Sequence, residues 1–241
     1  MILYFLRHGE SQNNILDSSG DRNATRKSEP DLTDHGVKQA ERTAELFSHS
    51  QAGGRPDHEY NPYRGNAFDI THIYASPHLR ALRTAAPVAQ RLDLPVHVYE
   101  DIHEAGGVVE HDRAAGVYRG APGLSRQEAD RVYDRLLFPD HLSENGWWNG
   151  RPLETEDARV SRARRVRERM LEAHEPDDRV LLVSHTHFHV YFICSVLGLP
   201  YRDGYWITLN NCALTRIGFD RRGVRIDYIN RQDHLIPDLL G

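Results

Sequence analysis

The chain begins MILYFLRHGES, and its first six residues are a continuous apolar run with aromatic content that passes without a polar lead-in into Arg7-His8-Gly9. A run this short and this apolar fits a strand buried on both faces, as in a parallel sheet covered by helices. It falls far short of the ~20 residues that span a bilayer, and it lacks the basic leader and cleavage site of a secretory signal. A buried strand that stops at an arginine and a histidine sets two costly polar groups at a sheet edge, which calls for a ligand or a partner there.

The same pattern recurs along the chain. DITHIYAS reads as a second strand ending at Ser76-Pro77, followed by the helix PHLRALRTAAPVAQRL with Pro77 in its first turn and Arg80 one turn in. PVHVYE gives a third strand with Glu104 beyond it, and RVLLVSH gives another, ending at Ser184-His185 and followed by the apolar helix HFHVYFICSVLGL. Between these lie the amphipathic helix DLTDHGVKQAERTAELF and the polar helix ETEDARVSRARRVRERMLEAH. In the first, Thr33 is the N-cap and Val37, Ala40, Ala44, Leu46 and Phe47 form the buried side; in the second, the arginines read as a solvated face. WITLNNCALTRIGF and VRIDYIN read as two closing strands, and residues 50–68, rich in Gly, Pro, Asn and Tyr, as a loop. Residues 105–153 break the rhythm with Gly106-Gly107, PGLS and Trp147-Trp148, and within them Ser125 and Glu128 form a capping box that opens a helix to about Leu137. Strands alternating with helices predict an α/β fold: a three-layer α/β/α sandwich with a mostly parallel, doubly wound sheet and an inserted lid. The 241 residues fit a single domain, 1–241, carrying that insertion at about 105–153.

In such a sheet ligands bind beyond the carboxyl ends of the strands. Arg7, His8, Arg80, His185 and Glu104 all follow strand ends, so two arginines, two histidines and a carboxylate converge on one edge. That set suits phosphoryl transfer. Guanidinium forks match phosphate oxygens, a neutral imidazole is a competent nucleophile, and a carboxyl beside phosphate can protonate a leaving alkoxide. Gly9 would let the backbone approach the ligand, with a helix N-terminus just beyond it. The net charge of −5 gives no support for nucleic-acid or anionic-membrane binding, so an anionic substrate needs a local basic pocket. The two cysteines, Cys194 and Cys212, make no disulfide framework, and a reducing cytoplasm is the default reading. HTHFH crowds His185, His187 and His189, but alternate residues of a helix face different ways and no HxHxD follows, so a metal is not expected there. His187 and His189 read as rim or packing residues.

Taken in order, RHGES with Asn14, DLTDHGVKQA, SPHLRALRTA, the late VSH and NNCALTRIGF resemble the motifs of the histidine phosphatase superfamily, the phosphoglycerate-mutase-like proteins, over Met1 to about Phe219. The resemblance implies that His8 becomes phosphorylated, that Arg7, Asn14, Arg80 and His185 hold the phosphate, and that Glu104 is the proton donor. Asn13 is the alternative to Asn14, Arg83 to Arg80, and Glu110 or His103 to Glu104; Glu10 reads as a structural partner. Two departures stand out. Thr186 occupies the position after the second histidine where the family usually has glycine, and the mutases' ERHYG is absent at Glu104. The expected activity is a metal-independent phosphatase, without cofactor, acting on a phosphorylated small molecule. The alternatives are a phosphoglycerate-type phosphomutase and a non-catalytic phospho-ligand module on the same fold. The oligomeric state, homo-oligomer included, is not legible.

Overall fold

The computed structural model describes residues 1–19, 26–48, 68–112, 115–140 and 143–240; most of the loop read over 50–68 lies outside them. In chain order the strands and helices are β1 (Ile2–Arg7), α1 (Gln12–Ser19), α2 (Asp34–Ser48), β2 (His72–Ala75), α3 (Leu79–Leu92), β3 (Val96–Val98), β4 (Val109–Asp112), β5 (Val117–Gly120), α4 (Arg126–Asp130), β6 (Leu136–Leu137), α5 (Glu156–Ala173), β7 (Arg179–Ser184), α6 (Thr186–Leu197), β8 (Leu214–Asp220) and β9 (Gly223–Arg231). Seven strands form one sheet in the order β6-β3-β2-β7-β1-β8-β9, and β4 and β5 pair as a separate hairpin. From β6 to β1 neighbouring strands run parallel; β8 is antiparallel to β1, and β9 to β8.

β1 lies inside the sheet and is buried on both faces, as its apolar run requires. Tyr4 and Leu6 join Ala44 and Phe47 of α2 and Ala81, Leu82 and Ala85 of α3 in one core. Leu3 and Phe5 face Val166 and Met170 of α5 and Phe188 and Phe192 of α6 in the other. The two-residue period of a strand thus splits one hexapeptide between two helical layers, and the three-layer α/β/α architecture is the one expected. Among the described residues no helix is long and apolar enough to cross a membrane.

Several boundaries differ from the sequence reading. Val37 is 37 % exposed, on the outer side of α2, while Ala40, Ala44 and Phe47 are buried as read. Pro77 lies ahead of the N-cap His78 rather than in the first turn of α3, and Pro87 sits inside that helix. The Ser125–Glu128 capping box forms, but α4 stops at Asp130 and Leu136–Leu137 adds an edge strand beside β3. WITLNN carries no strand, and β8 begins at Leu214. Arg162 is a further departure: it is 2 % exposed, so the arginine run of α5 is not wholly a solvated face.

The first turn after β1 is fixed by a backbone crossing. A Cβ on Gly36 would lie 2.0 Å from the carbonyl oxygen of Glu10, and one on Gly9 would lie 2.6 Å from that of Gly36. Gly9 is therefore needed for its contact with α2. Thr33 caps α2 as expected, accepting from Gly36 N at 2.9 Å, and its hydroxyl donates to Glu10 Oε1 at 2.7 Å. Glu10 is the structural partner that the sequence suggested.

Candidate active site

Parallel register brings three strand ends together. Arg7 pairs with Ser184 across β1 and β7, and Ala75 with Val183 across β2 and β7. The residues just beyond, His8, Ser76 and His185, therefore meet at one edge. His8 N donates to Ser184 O at 3.0 Å, and Ser76 N to Val183 O at 3.0 Å. The rings of His8 and His185 lie 5.1 Å apart.

His8 is buried, with Nδ1 2.7 Å from Gly9 O and Nε2 3.3 Å from the Nε of Arg80. A carbonyl can only accept, so the network assigns the proton to Nδ1 and leaves the Nε2 lone pair toward Arg80. Burial first, then the charges of Arg80 and Arg7, hold the His8 pKa well below its usual value, so the ring is neutral at pH 7. His185 is the N-cap of α6; its Nε2 lies 2.8 Å from Ser76 Oγ, and its buried Nδ1 has no hydrogen-bond partner among the described residues. Burial and the Arg80 charge keep it neutral as well. Thr186 opens α6 with its hydroxyl on Leu209 O at 3.3 Å and is not among the residues of positive φ, so the turn does not require a glycine.

Arg7 donates to Leu209 O at 2.6 Å. Asn14 Oδ1 accepts from Ser11 N at 3.0 Å, Ser11 Oγ at 2.9 Å and Asn211 Nδ2 at 3.3 Å, and Asn211 also donates to His8 O at 3.1 Å. The carbonyl end of Asn14 is thereby tied to the loop under His8. Asn13 turns elsewhere, and its side chain pairs with both backbone groups of Lys27, at 2.8 and 3.1 Å. Arg83 makes a surface ion pair with Asp31 at 3.0 Å.

Glu104 is held at the N-terminus of α6. Its Oε1 accepts from Ala105 N at 2.7 Å and Phe188 N at 3.1 Å, and its Oε2 lies 3.5 Å from His187 Nδ1. Burial alone would raise the carboxyl's pKa. The hydrogen bond and charge of His187, the charge of Arg80 and the Ala105 N–H outweigh it and hold the group far below the usual carboxylate range. The contacts of Glu104 thus favour the carboxylate over the acid. His187 responds in the opposite sense: its bond to Glu104 raises it above the usual histidine value. His187 does stand at the rim, and its ring contacts Trp206 at 5.0 Å. His189 is a packing residue, buried against Phe5 and 3.0 Å from the Thr215 hydroxyl. Of the alternatives to Glu104, Glu110 is exposed on the hairpin and accepts from Ser28. His103 is buried under Trp147 and Trp148 with Nδ1 on Glu100 O.

The sequence does not mark three residues that build this region. Arg162 grips both oxygens of Glu154 at 2.7 Å and donates to Asp101 O and His103 O, at 2.8 and 3.0 Å, which pins the segment leading into Glu104. Glu29 accepts from Leu79 N at 3.3 Å and Trp147 Nε1 at 3.1 Å, and lies 3.1 Å from His78 Nδ1. His78 stands edge-on to both Trp147 and His185, at 4.9 and 4.8 Å. Trp147 and Trp148 form a small core with Val108 and Ala121, so they pack the insertion, and Trp147 rests on His78, which in turn meets His185. Gly107, at φ +85°, admits the Trp148 ring where any Cβ would overlap it.

Known proteins resemble this chain along most of its length. A probable phosphoglycerate mutase of Cronobacter sakazakii is 25 % identical over 229 residues, covering 91 % of this chain and 85 % of that one. A phosphoserine phosphatase from Entamoeba histolytica, solved with phosphoserine, superimposes with a TM-score of 0.62 at 20 % identity, covering 98 % of this chain and 99 % of that one. A mycobacterial glucosyl-3-phosphoglycerate phosphatase, solved with VO3, gives 0.60 at 18 % identity over 96 % and 99 %. The family model of the histidine phosphatase superfamily, branch 1, matches residues 3–54 and 62–232, and the chain belongs to that superfamily.

Proposed function

We propose that the protein is a phosphatase that hydrolyses a phosphomonoester of a small metabolite through a phosphohistidine on His8, with no metal in the catalytic step. The observation that carries this reading is the neutral, Nδ1-protonated His8 whose Nε2 faces the Arg80 guanidinium at 3.3 Å. A phosphate entering between them would find a nucleophile on one side and a fixed cation on the other. Nε2 attacks phosphorus as the ester P–O bond breaks, and the leaving oxygen takes a proton from Glu104. Water then attacks phosphorus, Glu104 takes its proton, and the P–N bond breaks to regenerate neutral His8. Arg7, Asn14, Arg80 and His185 hold the phosphate through both steps. Glu104 needs a proton for the first step. His187 keeps one 3.5 Å away, and the negative charge of arriving phosphate favours its transfer to the carboxylate. In the whole-chain domain, residues 105–153 act as the lid that selects the alcohol, with Trp147 beside His78 as its innermost ring.

The second reading is a phosphomutase, favoured by the name of the Cronobacter relative. A panel of phosphoserine, phosphoglycerates, sugar phosphates and an aryl phosphate separates the two, scored for inorganic phosphate and for isomerised product. The phosphatase reading expects phosphate release that falls by about four orders of magnitude or more in His8→Ala and by about 10²–10⁴ in Glu104→Gln. Isomerisation without release would transfer the assignment to the mutase. Undiminished release in His8→Ala would overturn both readings.

A further inference from the structure

The opposite edge of the sheet carries a second group of side chains that phosphate chemistry leaves unused. His72 opens β2, Asp178 immediately precedes β7, and His174 caps the end of α5. The ligand atoms of the three residues lie within 4.8 Å of one another. Both imidazoles approach the same carboxylate through Nδ1: His174 is 3.2 Å from Oδ2, and His72 is 3.9 Å from Oδ1. Their ring centroids are 4.6 Å apart. Exposure is graded across the group, from 1 % for the His174 side chain through 21 % for Asp178 to 36 % for His72. The group therefore has a buried inner wall and an open mouth.

The surroundings hold these groups in place. Asp178 Oδ2 accepts from Glu175 N at 2.9 Å, and the Thr71 hydroxyl lies 2.8 Å from His72 Nδ1 and 3.5 Å from Asp178 Oδ1. Tyr74 packs edge-on against His174 at 5.6 Å, with His97 on Tyr74 at 5.1 Å.

We propose that His72, His174 and Asp178 form a binding site for a divalent transition-metal ion of the Zn²⁺ type, separate from the phosphate site. Two imidazoles and one carboxylate form a donor set for such an ion rather than for Mg²⁺ or Ca²⁺, which take oxygen ligands. Solvent at the His72 side completes the coordination. Bonds of about 2.0–2.2 Å need the ligand atoms to draw together by about 1 Å, a movement open to the half-exposed His72. The ion would tie the end of α5 to the entering ends of β2 and β7. β7 is six residues long, so at about 3.3 Å per residue the ion lies about 20 Å from His185 and takes no part in phosphoryl transfer.

The test uses the full chain stripped with chelator, titrated with ZnCl₂ by calorimetry and with CoCl₂ by visible absorption. The expected result is saturable one-to-one binding of Zn²⁺, cobalt d–d bands, a higher Tm with Zn²⁺ and no change with Mg²⁺. His72→Ala should fold with the unliganded wild-type Tm and hydrolyse an aryl phosphate at the wild-type rate. It should bind Zn²⁺ about tenfold or more weakly, and Asp178→Asn should do likewise. No saturable binding, or affinity unchanged in both variants, would overturn the site. Binding kept in His72→Ala but lost in His187→Ala would place the ion in the phosphate pocket and overturn it equally.

Discussion

The sheet edge and the tryptophan-walled insertion are built by different means. At the edge, His8, Ser76 and His185 arrive by backbone register: three buried parallel strands end side by side, and each polar residue follows its strand directly. The insertion contributes one hairpin, a short helix and a two-residue edge strand, and its inner surface is set by side chains. There Glu29 reaches Trp147 across 118 residues and His78 across 49. The lesson is that the proposed phosphate end is fixed by the same hydrogen bonds that make the fold, whereas the proposed alcohol end rests on a few side-chain contacts outside the sheet.

That contrast can be broken from either side. The largest effect is expected from Gly36→Ala, whose added carbon would overlap the Glu10 carbonyl directly after the RHG segment. It should destabilise the fold by about 2–4 kcal/mol and lower turnover of every substrate alike, read by denaturant unfolding with a substrate panel. A selective loss on some substrates only would show that the turn does not serve the phosphate end. Glu29→Gln comes next. It exchanges a partly buried carboxylate for an amide at a site shared by His78, Leu79 N and Trp147, with an expected cost of about 1–3 kcal/mol. Its kinetic signature should be a raised KM that differs between substrates; a uniform fall in kcat would place Glu29 with the phosphate machinery instead. His187→Ala should have the smallest effect, changing turnover at the pH optimum by less than about tenfold. Without His187 the proton for the leaving group rests on Glu104 alone, and even the ordinary carboxyl value lies below the raised value of His187. The alkaline limb of kcat/KM should therefore move downward, and a limb that stays in place would remove His187 from the proton path.

Much of the phosphate end is legible in the sequence because strands buried on both faces are continuous apolar runs, and the residues that interrupt them must lie at a sheet edge. Arg7-His8, Ser76 and Ser184-His185 follow from that rule alone. Motif resemblance adds Asn14, whose Oδ1 shares Asn211 with the carbonyl of His8, and Glu104, whose carboxylate is bound by Ala105 N and Phe188 N. Glu29, His78 and Arg162 are not legible. Each is a charged or polar residue in a polar stretch, and its burial comes from tertiary approach rather than from local pattern. Arg162 illustrates this best: three other arginines, Arg164, Arg165 and Arg169, share its helix toward solvent, and only the packing of α5 against the segment before Glu104 singles it out. The end of α4 at Asp130 is hidden for a similar reason, since pairing of Leu136 and Leu137 with β3 competes with further helix.

Transfer of the phosphoryl group to His8 Nε2, on a ring held neutral with its proton on Nδ1, is the step on which the whole reading turns. It is tested most directly by mixing enzyme with a fast-reacting aryl phosphate, quenching in alkali to preserve phosphoramidate, and mapping the adduct by mass spectrometry. The expected result is one phosphoryl group on the peptide containing His8, formed within the first turnover, absent from His8→Ala and accumulating in Glu104→Gln, where its hydrolysis lacks a base. Turnover with no adduct on His8, or an adduct on His185 instead, would contradict it.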